Sequence, residues 1–173
     1  MGEELDPHGR TLADTNLFVA IGDSGRPKFE RLKRHAVRRD VVIDVPERVQ
    51  RELSVHPNEI RLQHAREEGW ATVVSPPEPT STSAVAAMDH VRRHIAHETG
   101  ADEHDVEKAD TVFAGLAVEY LCQGVEQVTV LTDDGPAKRA IENAVAHRDV
   151  SGSVRILGLT DVIGDEGAGV RIV

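Results

Sequence analysis

At 173 residues the chain fits a single domain with a sizeable core. Its 30 acidic against 20 basic residues leave a formal net charge of −10, and all the basic residues are arginine except Lys28, Lys33, Lys108 and Lys138. The lone Cys122 excludes an intramolecular disulfide framework and multi-cysteine zinc sites, and no run approaches the roughly 20 apolar residues of a membrane span.

An acid-rich, lysine-poor chain with only 3% aromatics suits a cytoplasm of very high salt, where surface carboxylates keep a protein hydrated. A halophilic source is therefore expected. In strong salt the overall acidity does not exclude a nucleic-acid partner, because only local contacts to phosphate then count. Residues 1–9 are polar and acidic, unlike a signal peptide, and are expected to be flexible. The protein is expected to be soluble and cytoplasmic.

Residues 11–20 read as a first strand, apolar from Leu12 onward apart from Asp14, Thr15 and Asn16. Ser24 to Arg39 then carries Phe29, Leu32, Ala36 and Val37 at helical spacing. A short buried strand, Asp40 to Val45, leads into Pro46, which suits a first helical turn; Val49 and Leu53 mark the apolar face of a helix ending near Ser54. Another helix starts at Pro57 and runs to about Glu68, closed by Gly69. Trp70 to Val74 is a strand, ended by Ser75-Pro-Pro and the breaker-rich stretch Glu78 to Ser83. Ala84 to Thr99 is helical with Gly100 as its stop, and Asp105 to Gln123 is a long amphipathic helix in which Cys122 reads as a packed thiol. A strand over Gln127–Leu131, a helix over Pro136–His147, a strand over Val154–Leu157 and a short closing element near Val170–Val173 complete the chain. Strands alternating with helices predict an α/β fold with a parallel sheet covered on both faces.

In such a sheet, function gathers at the carboxyl ends of the strands. Asp14 stands at one, and an ionised acid there is costly to desolvate without a partner. Thr132, Asp133 and Asp134 stand at another, in Val128-Thr-Val-Leu-Thr-Asp-Asp-Gly135. Glu52 sits beside the Val49/Leu53 face, and Asp110 lies among small and apolar neighbours in Ala109-Asp-Thr-Val-Phe-Ala-Gly-Leu-Ala117. Each acid alone has a structural explanation. Asp14 would be a strand-end turn residue, Asp134 an N-cap before Pro136, Glu52 a surface residue, and Asp110 a partner for Arg139 or Lys138. Jointly they point to a shared site for a hard cation.

Four segments carry a resemblance: Leu12-Ala-Asp-Thr-Asn-Leu-Phe18, Val49-Gln-Arg-Glu-Leu53, Ala109 to Ala117, and Val130-Leu-Thr-Asp-Asp-Gly135. In this order the chain resembles the PIN-domain family of metal-dependent ribonucleases over about residues 10–157. The resemblance implies a three-layer α/β/α sandwich around a five-stranded parallel sheet of order 3-2-1-4-5. It also implies an acidic quartet of Asp14, Glu52, Asp110 and Asp134, supported by Asn16 and Thr132, with Asp133 as an alternative fourth ligand. Glu47 competes with Glu52, but it sits at the helix start, where an acid is unremarkable. Residues 10–173 would form one PIN-like domain, departing from a compact member by an insertion at about 75–102 and an extended tail after 151.

Oxygen ligands without a supporting histidine or cysteine pair suit Mg²⁺ or Mn²⁺. The implied activity is hydrolysis of RNA phosphodiester bonds by an endoribonuclease. Its role would be that of a toxin in a toxin–antitoxin pair or of an RNA-processing enzyme similar to ribosome-maturation members. RNA, an antitoxin protein and a second copy of the chain are the expected partners, and no membrane is. A catalytically silent PIN-like binding module is the alternative. A receiver-like phosphotransfer protein ranks last, because a suitably placed lysine after a late strand is missing.

Arg26, Lys28, Arg31, Lys33, Arg34, Arg38 and Arg39 cluster in the helix after the Asp14 motif. They form a phosphate-tracking flank, a dock for an acidic peptide, or an ordinary solvated face. His90, His94 and His97, with Asp89 or His104, have zinc-compatible spacing on a helix expected to be exposed. Gly22-Asp-Ser-Gly25 and Gly164 to Gly169 lack the lysine and helix context of a phosphate loop and read as turns.

Overall fold

A computed structural model describes residues 3–54, 58–77, 81–100, 108–147 and 151–164, with positions 99 and 108–110 described at the backbone only. Five strands, β1 (Arg10–Ala13), β2 (Ile43–Pro46), β3 (Ala71–Val74), β4 (Gln127–Leu131) and β5 (Ser153–Leu157), alternate with helices. They pair in parallel in the order β3-β2-β1-β4-β5. The helices are α1 (Thr15–Ile21), α2 (Pro27–Arg38), α3 (Glu47–Ser54), α4 (Glu59–Glu67), α5 (Thr82–Thr99), α6 (Lys108–Cys122), α7 (Gly135–Ala146) and α8 (Leu159–Ile163).

The inner strands are buried on both faces: Thr11, Leu12 and Ala13 of β1, all of β2, and β4 from Val128 onward. That burial is the signature of a parallel sheet clad by helices on each side. Helices α5, α6 and α7 pack on one another, while α1 packs on α2 and α3, α3 on α4, and α2 on α8. Right-handed crossovers put α1–α4 on one face and α5–α7 on the other. The chain steps outward from β1 to β2 to β3, then returns through α5 and α6 to β4, on the other side of β1. The order therefore reverses between β1 and β4, and their carboxyl ends open the crevice.

Local chemistry explains the elements. Pro27 starts α2, whose Phe29, Leu32 and Ala36 form one buried stripe; the Phe29 ring meets Trp70 edge-on at 5.3 Å between centroids. In α6, Gly115 brings α5 close, since a Cβ there would lie 2.7 Å from Met88 Sδ. A polar cluster links β1, β2 and α6: Arg10 Nε donates to Asp44 Oδ2 at 2.8 Å, Tyr120 Oη donates to the same oxygen at 3.2 Å, and the guanidinium lies 4.3 Å from the Tyr120 ring centroid.

Several sequence expectations change. The strand over 11–20 stops at Ala13, and Asp14 caps a helix instead. Its side chain accepts from the Asn16 backbone, and Leu17, Phe18 and Ile21 then share one buried helical face. Pro46 ends β2 rather than starting a helix. Within the amino-terminal stretch expected to be flexible, Leu5 is fully buried. The Leu5 N–H donates to His35 Nε2 at 3.2 Å, and Arg39 and Arg155 donate to the Leu5 and Glu4 carbonyls. Burial, then the nearby Arg38 charge, lowers the His35 pKa, which keeps the imidazole neutral as the acceptor.

Cys122 is exposed, not packed, because it is the last residue of α6 and turns away from the core. The short α8 was not expected. The closing element near 170–173 and the starts assigned to Pro57 and Asp105 lie outside the described residues. The segment read as an insertion contributes α5, whose Ala84, Ala87, Val91, Ile95 and Ala96 are buried against α6 and α7. Among the described residues no helix is long and apolar enough to cross a membrane.

Candidate active site

Strand register builds the centre of the site. Ala13 of β1 is paired with Leu131 of β4, so the next residues, Asp14 and Thr132, leave adjacent strands side by side. The Asp14 N–H donates to the Leu131 carbonyl at 3.2 Å. Its carboxylate is held at both oxygens: Oδ1 accepts the Asn16 backbone N–H at 2.9 Å, and Oδ2 accepts the Thr132 hydroxyl at 2.7 Å. Thr132 Oγ1 in turn accepts the Asp134 N–H at 3.1 Å. One hydroxyl thus ties two acids together.

Asp134 caps α7, its Oδ1 accepting the Ala137 N–H at 3.2 Å. Glu52 comes in from α3, its Oε2 accepting the Thr15 hydroxyl at 2.6 Å. Asp14 is only 8% exposed. Burial raises its pKa most; the hydrogen bonds from Thr132 and Asn16 pull it down, and the charges of Asp134 and Glu52 push it up again. The net direction is upward. Among the described residues Asp14 has no ion-pair partner, so a cation placed beside it would relieve both burial and repulsion.

Capping explains the positions of Asp14 and Asp134 but not their company. A serine or threonine caps a helix without charge, whereas here the charges of two further carboxylates reach Asp14. The oxygen-only donor set fits Mg²⁺ or Mn²⁺. Among the described residues no three acidic, histidine or cysteine side chains close a metal shell by themselves. That is compatible with Mg²⁺, which keeps several waters and takes only one or two carboxylates.

The remaining sequence candidates divide. Asp110 lies in the first turn of α6, a helix packed on α3 and β2, and its side chain lies outside the described residues. Asn16 supplies its backbone N–H, while its side chain is exposed. Asp133, expected as an alternative ligand, is exposed and turned away from Asp14: its Oδ1 lies against Gly158, where a Cβ would collide with it. The alternation of side chains at a strand end puts Thr132 and Asp134 on one side and Asp133 on the other. Glu47 accepts from Ser75 Oγ at 3.2 Å, whereas Glu52 is the glutamate whose charge reaches Asp14.

The basic helix is dispersed. Arg31 donates to the Ile163 carbonyl, Lys33 pairs with Glu68, and Arg39 binds Leu5 and Glu4. Arg34 and Arg38 line a cleft of about 380 Å³ with His35, Val162 and Ile163. The end of α2 that holds Arg38 and Arg39 leads into the amino end of β2, so it lies at the sheet edge opposite Asp14. Arg26 and Lys28 remain at the other end, towards α1. The histidines also separate. His90 bonds Asn143 Oδ1 at 2.6 Å and stacks 4.9 Å from His147, His94 lies 3.5 Å from Glu98, and His97 is exposed. His104 lies outside the described residues. Arg139, named as a partner for Asp110, pairs with Glu98.

Two contributors escaped the sequence reading. Thr15 orients Glu52, and Arg48 lies 3.5 Å from Glu52 Oε1. The signal for both was present, in a hydroxyl directly after Asp14 and an arginine one helical turn before Glu52.

The chain matches the family model of the halobacterial PIN domain over residues 8–169. It belongs to the halobacterial PIN-domain family. No individually curated protein matches it. PIN domains are in general nucleases that use divalent metals, and the five-stranded order found here is the PIN-like sandwich. The halobacterial affiliation agrees with the acid-rich, lysine-poor composition. The matched range spans α5.

Proposed function

We propose that this PIN domain is a Mg²⁺- or Mn²⁺-dependent endoribonuclease. The observation that carries the reading is Asp14, a buried carboxylate with a raised pKa, held by Thr132 and facing Glu52 and Asp134. Asp14, Glu52 and Asp134, joined by Asp110 from α6, would hold the metal. When bound, the metal would supply Lewis-acid activation of water and charge stabilisation at the scissile phosphate.

The chain's own groups do the rest. Thr132 and Thr15 fix the rotamers of Asp14 and Glu52, so the acids are pre-oriented before a substrate arrives. One of these carboxylates accepts the proton of the attacking water. The water oxygen bonds to phosphorus, and the 3′ oxygen departs. The net result is a 5′ phosphate on one fragment and a 3′ hydroxyl on the other.

The test is cleavage of structured and single-stranded RNA with Mn²⁺, Mg²⁺ or chelator, at low and high KCl. Metal-dependent internal cleavage is expected, and Asp14→Asn should abolish it while leaving the fold intact by circular dichroism. Full activity in that variant, or activity undiminished by chelator, would overturn the reading.

A further inference from the structure

A second feature adjoins the acids on the α3 side. A cleft of about 280 Å³ is lined by Glu47, Arg48, Arg51, Pro76 and Val112. It lies between α3, which carries Glu52, and α6, which carries Asp110, with Val112 two residues beyond Asp110. It is continuous with the acids: Arg48 Nε is 3.5 Å from Glu52 Oε1, and Glu52 reaches Thr15, the neighbour of Asp14, through its other oxygen.

The two arginines are under-used. Arg48 Nε is buried without a hydrogen-bond partner, its approach to Glu52 being charge proximity without bonding geometry. The Arg51 side chain is exposed and makes no hydrogen bond or ion pair among the described residues. Glu47, the one acid in the lining, already accepts from Ser75. Two guanidinium groups on one wall, against an apolar wall of Pro76 and Val112, form a local positive pocket in a chain of net charge −10. A guanidinium fork matches phosphate oxygens in pairs.

We propose that Arg48 and Arg51 grip a backbone phosphate of single-stranded RNA, next to the phosphate presented to the acids. This rests on the nuclease reading for its orientation, although the grip itself needs no metal. Such a contact carries no base information; it sets the register of the strand against Asp14. It also places the phosphate-binding surface on α3 instead of on the distal half of α2.

The test is binding of a fluorescent single-stranded oligoribonucleotide to the wild type in chelator, over a range of KCl. Arg51→Ala should weaken binding roughly tenfold, the loss of one charge-assisted contact, and flatten the log–log salt slope by about 0.7. Arg51→Lys should recover part of it. Arg66→Ala, which removes an equal charge from the exposed face of α4, should leave affinity unchanged. Mn²⁺ affinity should be the same in Arg51→Ala and wild type. Equal RNA affinity in Arg51→Ala and wild type, or no RNA binding by the wild type, overturns the grip. RNA binding through Arg51 without any metal-dependent cleavage would instead overturn the nuclease reading and leave the grip standing.

Discussion

Thr132 has two partners, donating to Asp14 Oδ2 and accepting from the Asp134 N–H, so its side chain sets the spacing of two acids that repel each other. Valine has the same shape but cannot do either. Thr132→Val is expected to lower Mn²⁺ affinity and cleavage by about 10- to 100-fold, the scale of losing a group that orients ligands. Thr132→Ser should recover most of both. Calorimetric Mn²⁺ titration alongside the cleavage assay checks this, and a valine variant with wild-type metal affinity would refute it. The same residue scale shows where sequence reading stops. Asp44 presents the pattern that singled out Asp14, a lone acid in an apolar strand, yet its partners are Arg10 and Tyr120. The difference lies in what the fold brings opposite each acid, which a single strand does not encode.

At the scale of elements, the close approach of α5 and α6 depends on the missing side chain at Gly115. A Cβ there would lie 2.7 Å from both Met88 Cγ and Sδ and 2.9 Å from Pro77 Cγ. Methionine can move, but the proline ring cannot, so Gly115→Ala should destabilise by about 1–3 kcal/mol. Adding Met88→Ala should return part of that loss, and denaturant melts of the two variants measure the coupling. Most strands and helices were legible because parallel strands read as short apolar runs and Pro and Gly mark helix ends. Element α1 was not legible, because Leu17, Phe18 and Ile21 serve a strand as well as a helix until Asp14 bonds the Asn16 N–H. Of the site, the acids were visible as residue types. That Asp134 and not Asp133 faces Asp14 depends on the side-chain direction at the end of β4, a matter of one residue in register.

For the molecule as a whole, the net charge of −10 makes self-repulsion a general destabilising term that salt screens. The melting temperature is expected to rise as KCl goes from about 0.1 M, where the Debye length is about 10 Å, to molar levels, where it falls to about 3 Å. A melting temperature that fell over that range would contradict the expectation of a halophilic protein.

The β1–β4 junction has a consequence in time. Asp14 and the hydroxyl that orients it are 118 residues apart in sequence, although they leave neighbouring strands. A growing chain can complete β1, β2 and β3 with their helices and still lack half of its centre. The centre is assembled only when β4 slots in beside β1. A product cut short before β4 would carry Asp14 without the hydroxyl that orients it.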